Sequence, residues 1–160
     1  MIFTTKAEYG VRLLVELGRH GEDQPVSLKA IAEAEGLPLA YLERIVALLR
    51  KAGLVDSTRG AHGGYRLARP ASEITMDEAV LALEGVVAPM SCFVDDRDGD
   101  DVERKGVLCS HQADAGHGCA TKLLWTRVQG SVVDALRQTS LAELISFSSP
   151  REPELVTIDG

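Results

Sequence analysis

Between residues 27 and 69 the chain is punctuated too tightly for most folds to accommodate it. Ser27 is a capping residue ahead of Leu28, Ile31 and Ala32, which recur at helical spacing, and Gly36 stops that helix. After Leu37 and Pro38, the apolar positions Leu42, Ile45, Val46 and Leu49 predict the buried stripe of a second helix over about 39–52, ended by Gly53. Two short runs, 54–57 and 65–67, read as strands. Gly60, Gly63 and Gly64 in the joint between them permit positive φ and close backbone approach. Helix, tight glycine turn, helix and glycine-rich hairpin in this order predict a winged helix-turn-helix.

The flanks are helical in pattern. Over 4–19, Val11, Leu14, Val15 and Gly18 mark an apolar or small face, with Thr5 and Glu8 in capping-box spacing. Thr75 and Glu78 repeat that spacing before a helix through about 84, and Ser140 and Glu143 repeat it before a last short helix through about 147. A long helix is expected over 120–138, lined on one side by Leu124, Val128, Val132, Ala135 and Leu136. The stretch 85–117 has no clear period, and the polar, proline-containing tail from 148 reads as disordered. The fold class is thus mainly α with a small β-hairpin wing. The expected organisation is a DNA-binding domain over 1–70, a cysteine loop with dimerisation helices over 71–147, and a tail over 148–160.

Charge at first argues against DNA, because the 160 residues carry a formal net charge of −7 while phosphate contacts need cations. Its distribution reverses the argument. Residues 27–70 hold seven cations against four anions, a local +3, and the excess acid is concentrated in a run from Asp95 to Glu103. No apolar run reaches the roughly 18 residues that span a membrane, and the first ten residues lack a signal peptide's pattern. The expected setting is cytoplasmic, with no membrane partner. Paired catalytic carboxylates, a nucleophile–base pair and a phosphate loop are all missing from the pattern, so the chain is not expected to be an enzyme.

The second helix of a helix-turn-helix enters the major groove of double-stranded DNA with residues near its N-terminus at the base edges. Here these are Leu39, Ala40, Tyr41, Glu43 and Arg44. Glu43 can accept from a cytosine amino group, and Arg44 can reach guanine or phosphate. Arg50 and Lys51 lie at the far end, suited to phosphates, and Ser27 opens the preceding helix. At the wing, Arg59 suits the negative potential of a minor groove, with His62 and Gly63 beside it.

The three cysteines are Cys92 and Cys109, in the stretch without helical period, and Cys119, between it and the long helix, separated by sixteen and nine residues. An odd count argues against a disulfide framework, and a long structureless loop in a small protein needs a reason. Thiolates holding an iron–sulfur cluster supply one. Zinc on three Cys and one His, with His111 and His117 nearby, and unliganded thiols stay open beside it.

The run Ser27, Leu28, Ile31, Ala32, Glu33, Gly36, Leu37, Tyr41, Leu42, Glu43, then 49–55, Arg59, Gly60 and 63–67, resembles the Rrf-type (IscR/NsrR/RsrR-like) winged-helix transcription regulators. The similarity extends from Tyr9 to Leu144, and 50–67 is its most specific part. It implies a homodimer acting at a promoter operator, joined through the long helix, with many members sensing through an iron–sulfur cluster. It also implies Cys92 and Cys119 as ligands, with Cys109 displaced by an enlarged acidic loop, and [2Fe–2S] ahead of [4Fe–4S]. A pair made of Cys109 and Cys119 alone is a variant of that reading. Some relatives use a histidine three residues after the last cysteine, where Lys122 stands here; others use a carboxylate near the start of the first helix, donated by the partner subunit, where Glu8 stands, with His111 and His117 open as alternatives. Arg12, one turn on, is then placed to balance cluster charge. The chain departs from the family pattern at Ala40, commonly Ser, and at Ala61 and His62, commonly Pro and Gly.

Overall fold

The computed structural model describes residues 3–21, 24–60, 63–85, 87 and 120–148. Helix α1, Thr5–Arg19, runs through the centre of the molecule. Around it lie α2 (Leu28–Glu35), α3 (Leu39–Lys51), the hairpin β1 (Val55–Thr58) and β2 (Gly64–Leu67), a 3₁₀ turn (Ala71–Glu73), α4 (Met76–Glu84), α5 (Ala120–Gln138) and α6 (Leu141–Ser148). This is the mainly helical, winged architecture that the sequence predicts.

Helix ends follow side-chain chemistry. Ser27 Oγ accepts from the Ala30 amide at 3.1 Å, which satisfies an amide that the first turn of α2 leaves unpaired. Gly36 closes α2 in the left-handed conformation, φ 63°. The Glu78 carboxylate reaches back to the Thr75 amide at 3.2 Å, forming the expected box at α4. At α1 the expectation fails: Thr4, not Thr5, is the N-cap, and its side chain accepts from the Lys6 amide. Thr5 already has helical backbone, so Glu8 has no box to complete.

The core consists of Leu13, Leu14 and Leu17 of α1, Ile31 of α2, Leu42, Ile45 and Leu49 of α3, with Leu54, Val55, Ile74, Leu83 and Leu141. The stripe of α1 is therefore centred on Leu13 and Leu17. Of the face expected from spacing, only Leu14 is fully buried, and Val11 and Val15 form its half-buried edge. The reason is position: α1 contacts α2, α3, α4, α6 and β2, so it buries more of its circumference than a surface helix does. Gly10 lets α4 approach, since a Cβ there would lie 2.3 Å from Leu83 Cδ1.

The wing is an antiparallel pair with Val55 opposite Leu67 and Thr58 opposite Gly64. Val26 joins it, exchanging two hydrogen bonds of 2.8 Å with Tyr65. The chain that enters α2 is thereby sewn to the wing. A second seam, the Leu141 amide to the Ile74 carbonyl (2.8 Å) and the Met76 amide to the Thr139 carbonyl (2.9 Å), ties the start of α6 to the start of α4.

No side chain described on α5 is fully buried. Leu123 and Leu124 are 61% and 56% exposed, and Val128, Val132 and Leu136 are half-buried. Among the described residues no helix is long and apolar enough to cross a membrane.

Candidate nucleic-acid interface and its link to the cysteine segment

Burial of Leu42, Ile45, Val46 and Leu49 fixes how α3 is rolled, and the opposite face follows. Ala40, Glu43, Arg44, Ala47 and Lys51 are all exposed, at the spacing that keeps residues on one side of a helix. Leu39, 40% exposed, stands at the first turn and Arg50 at the last. Ala47 belongs to this strip although it carries neither charge nor hydrogen-bonding group; its spacing of seven from Ala40 was the signal in the sequence. Tyr41 stands at its edge. Its ring is half-buried and meets Tyr9 of α1 edge-on, with centroids 5.7 Å apart and planes at 89°, so it fastens α3 to α1.

The cations differ by location. Arg12 pairs with Glu35 at 2.8 Å, Arg69 with Glu78 at 2.8 Å and Arg137 with Asp77 at 3.3 Å, while Arg19 pairs with Glu16 of its own helix at 3.0 Å and reaches Glu35 of α2 at 3.6 Å. All but the Arg19–Glu16 pair tie one part of the scaffold to another. Across α3 and the wing, Arg44, Arg50, Lys51, Arg59 and Arg66 make no ion pair among the described residues. Glu43 is likewise unpaired there. Arg66 Nε is buried without a hydrogen-bond partner among the described residues, although Asp56 stands opposite on the neighbouring strand. Among the described residues the surface of α3 and the wing thus holds five cations without an ion pair, whereas on the scaffold only Lys6 and Arg127 lack one.

Ser27 is exposed, with its hydroxyl engaged in capping α2, and Arg59 is exposed at the wing. Gly63 is half-buried and its amide donates to the Gly60 carbonyl at 2.9 Å, forming the wing turn. His62 lies outside the described residues, as do Ala61, His111, His117, Cys92, Cys109, Cys119 and the tail from 149.

Of the expected cluster ligands, Glu8 is described. Its carboxylate is exposed, takes no hydrogen bond or ion pair among the described residues, and stands on the rim of an apolar hollow of about 650 Å³ with Phe3, Val11, Val80 and Leu136. Arg12, on the same rim, is already committed: it donates to the Glu35 carboxylate and also to the Glu35 carbonyl, locking α1 to the end of α2. Among the described residues no group of three or more His, Cys, Asp or Glu is placed to hold a metal.

Residues 3–146 match the Rrf2 family, described as "Iron-dependent Transcriptional regulator". The chain is 37% identical over 149 residues to Protein rrf2 of Nitratidesulfovibrio vulgaris, an alignment covering 93% of this chain and 90% of that protein. Its fold is similar to that of CymR (YrzC), the global cysteine regulator of B. subtilis, with a TM-score of 0.72, 34% identity, and coverage of 93% of this chain and 99% of that one. It is similar also to T. potens IscR, with a TM-score of 0.70, 34% identity, and coverage of 93% and 89%. A family of transcriptional regulators agrees with the expectation that the chain is not an enzyme.

Proposed function

The chain belongs to the Rrf2 family of transcriptional regulators, and from that premise we propose that it is a homodimeric, cytoplasmic promoter-binding regulator controlled by an iron–sulfur cluster on Cys92, Cys109 and Cys119. The observation that carries the DNA half is the set of unpaired cations spread over α3 and the wing. Phosphates are the partner that such a set lacks, and their release of counterions supplies most of the binding energy. In this reading α3 lies in the major groove with Ala40, Glu43 and Arg44 at base edges. Arg50 and Lys51 hold phosphates, as does the start of α2 at Ser27, and Arg59 enters the minor groove.

For the sensing half, three thiolates and the free carboxylate of Glu8 from the partner subunit form a donor set suited to an iron–sulfur cluster. Such a cluster supplies a centre responsive to redox state, nitric oxide or iron–sulfur supply, and [2Fe–2S] is the type preferred. A second reading, regulation by the thiols without a cluster, is favoured by the likeness to CymR, the global cysteine regulator of B. subtilis. Anaerobic purification separates the two. A brown protein containing iron and acid-labile sulfide, whose affinity for promoter DNA changes when the cluster is removed, is the expected result. A colourless, iron-free protein that binds the same DNA overturns the cluster in favour of the thiols.

A further inference from the structure

The end of α4 is fastened to the start of α1. Glu84, the last residue of α4, accepts with one carboxylate oxygen from the Thr4 amide at 3.0 Å and from the Thr4 hydroxyl at 2.6 Å. Thr4 is the N-cap of α1, so the carboxylate also faces the positive end of that helix. The Val87 carbonyl accepts from Gln129 Nε2 of α5 at 2.6 Å. The stretch 84–87 is therefore held to α1 at one end and to α5 at the other, and in sequence it leads directly towards Cys92. There is little slack between α4 and α1, because Leu83 fills the space left by Gly10 of α1. From α1 the contact continues into α2, α3 and β2.

We propose that Glu84 is a positioning residue through which the state of the cysteines reaches the DNA-binding surface. This rests on the reading above that the cysteines sense a signal. A displacement that begins at Cys92 pulls on the end of α4. With the Thr4 bonds intact, the start of α1 follows, and α1 shifts the helices and wing packed on it. Without them the end of α4 moves alone, and α3 keeps one orientation in both states. Among the described residues the hydrogen bonds of Glu84 go to Thr4, away from α3 and the wing, so its loss acts on the difference between states rather than on binding itself.

The test measures promoter affinity of the full chain in two states, as purified anaerobically and after removal of iron or oxidation of the thiols. Wild type is compared with Glu84→Ala and Glu84→Gln, the latter keeping an acceptor oxygen. Allosteric ratios typically run from about 5-fold to 150-fold. The expected result is that the wild-type ratio lies in that range, falls below about twofold in Glu84→Ala, and largely returns in Glu84→Gln, with both variants still binding DNA. A Glu84→Ala ratio equal to wild type overturns the proposal. If Glu84→Ala does not fold, Thr4→Val, which removes the hydroxyl donor, is read instead, and an unreduced ratio there overturns the proposal equally. A wild-type chain that binds the promoter identically in every state overturns the sensing reading itself, which separates the two failures.

Discussion

At the scale of single residues, the helix predicted to read DNA divides its work between two neighbouring positions. Tyr41 turns inward against Tyr9, whereas Glu43 stands exposed and unpaired. Replacing Glu43 by Ala should leave stability unchanged and relax base preference at one operator position. A well-placed contact of this kind discriminates by about 1–3 kcal/mol, read as converging affinities for an operator and its single-base variants. Preference unchanged in the variant would remove Glu43 from the base-reading set. Lys51→Ala should weaken binding to all sequences alike and flatten the dependence of log K on log salt by about one unit. Glu8→Ala should alter the absorption spectrum of the anaerobic protein; an identical spectrum would exclude it as a ligand. The cations and Glu8 were legible in the sequence because charge is. The inward turn of Tyr41 was not, because it depends on Tyr9, thirty-two positions away. Ala47 was missed for the opposite reason: only its place on the helix marks it.

Elements were legible wherever a cap or a glycine announced them. Ser27, Gly36, Gly53 and Thr75 set boundaries that the structure keeps to within a residue. What one-dimensional spacing could not reveal is how many neighbours surround an element, and so α1 buries Leu13 and Leu17 rather than the face expected. The seams between elements were equally hidden. At the Val26–Tyr65 seam, a Cβ on Gly64 would come within 2.6 Å of the Val26 carbonyl oxygen. Gly64→Val should therefore cost about 1–3 kcal/mol, the usual range for overpacking. It should also weaken DNA binding by displacing the wing, seen as a lower Tm together with a lower affinity. Ion pairs make other seams sensitive to acid. Burial disfavours the charged form of Glu16, but hydrogen bonds and charge from Arg19 and His20 outweigh it and hold its carboxyl below the ordinary value. Asp77 and Glu78 are lowered in the same way: burial opposes, while Thr75 and Arg137 at the first, and Arg69 and Thr75 at the second, prevail. A carboxyl whose folded pKa is depressed stabilises the fold above its unfolded pKa and loses that contribution as pH falls through the folded value. Tm should accordingly fall as pH drops below the ordinary carboxylate range. Glu16→Gln should lower Tm at neutral pH and flatten that acid limb, and a limb of unchanged slope would show that Glu16 contributes little.

At the scale of the whole molecule, two surfaces remain unmatched among the described residues. One is the cationic face of α3 and the wing, whose proposed partner is DNA. The other is α5, which buries no described side chain completely and presents Leu123 and Leu124 more than half exposed. An apolar face of this kind on a long helix is stable in water chiefly when another apolar face covers it. A second copy of α5 offers one, related by a two-fold axis that makes the interface self-complementary. The same axis would present two copies of α3 to the two halves of an operator, so a weak contact by each becomes a strong contact by both. Leu124→Asp tests this arrangement. It would bury an unpaired carboxylate at the seam, at a cost of about 3 kcal/mol or more, which raises the dimer dissociation constant on the order of 100-fold. Sedimentation should then find monomer at concentrations where the wild type is dimeric. Affinity for a full operator should fall towards that for a half-site, while the Tm of the core around α1 changes little. A Leu124→Asp protein that stays dimeric at micromolar concentration would place the seam elsewhere. The exposed leucines of α5 would then need a different partner, while the wing and α3 would keep their part in binding DNA.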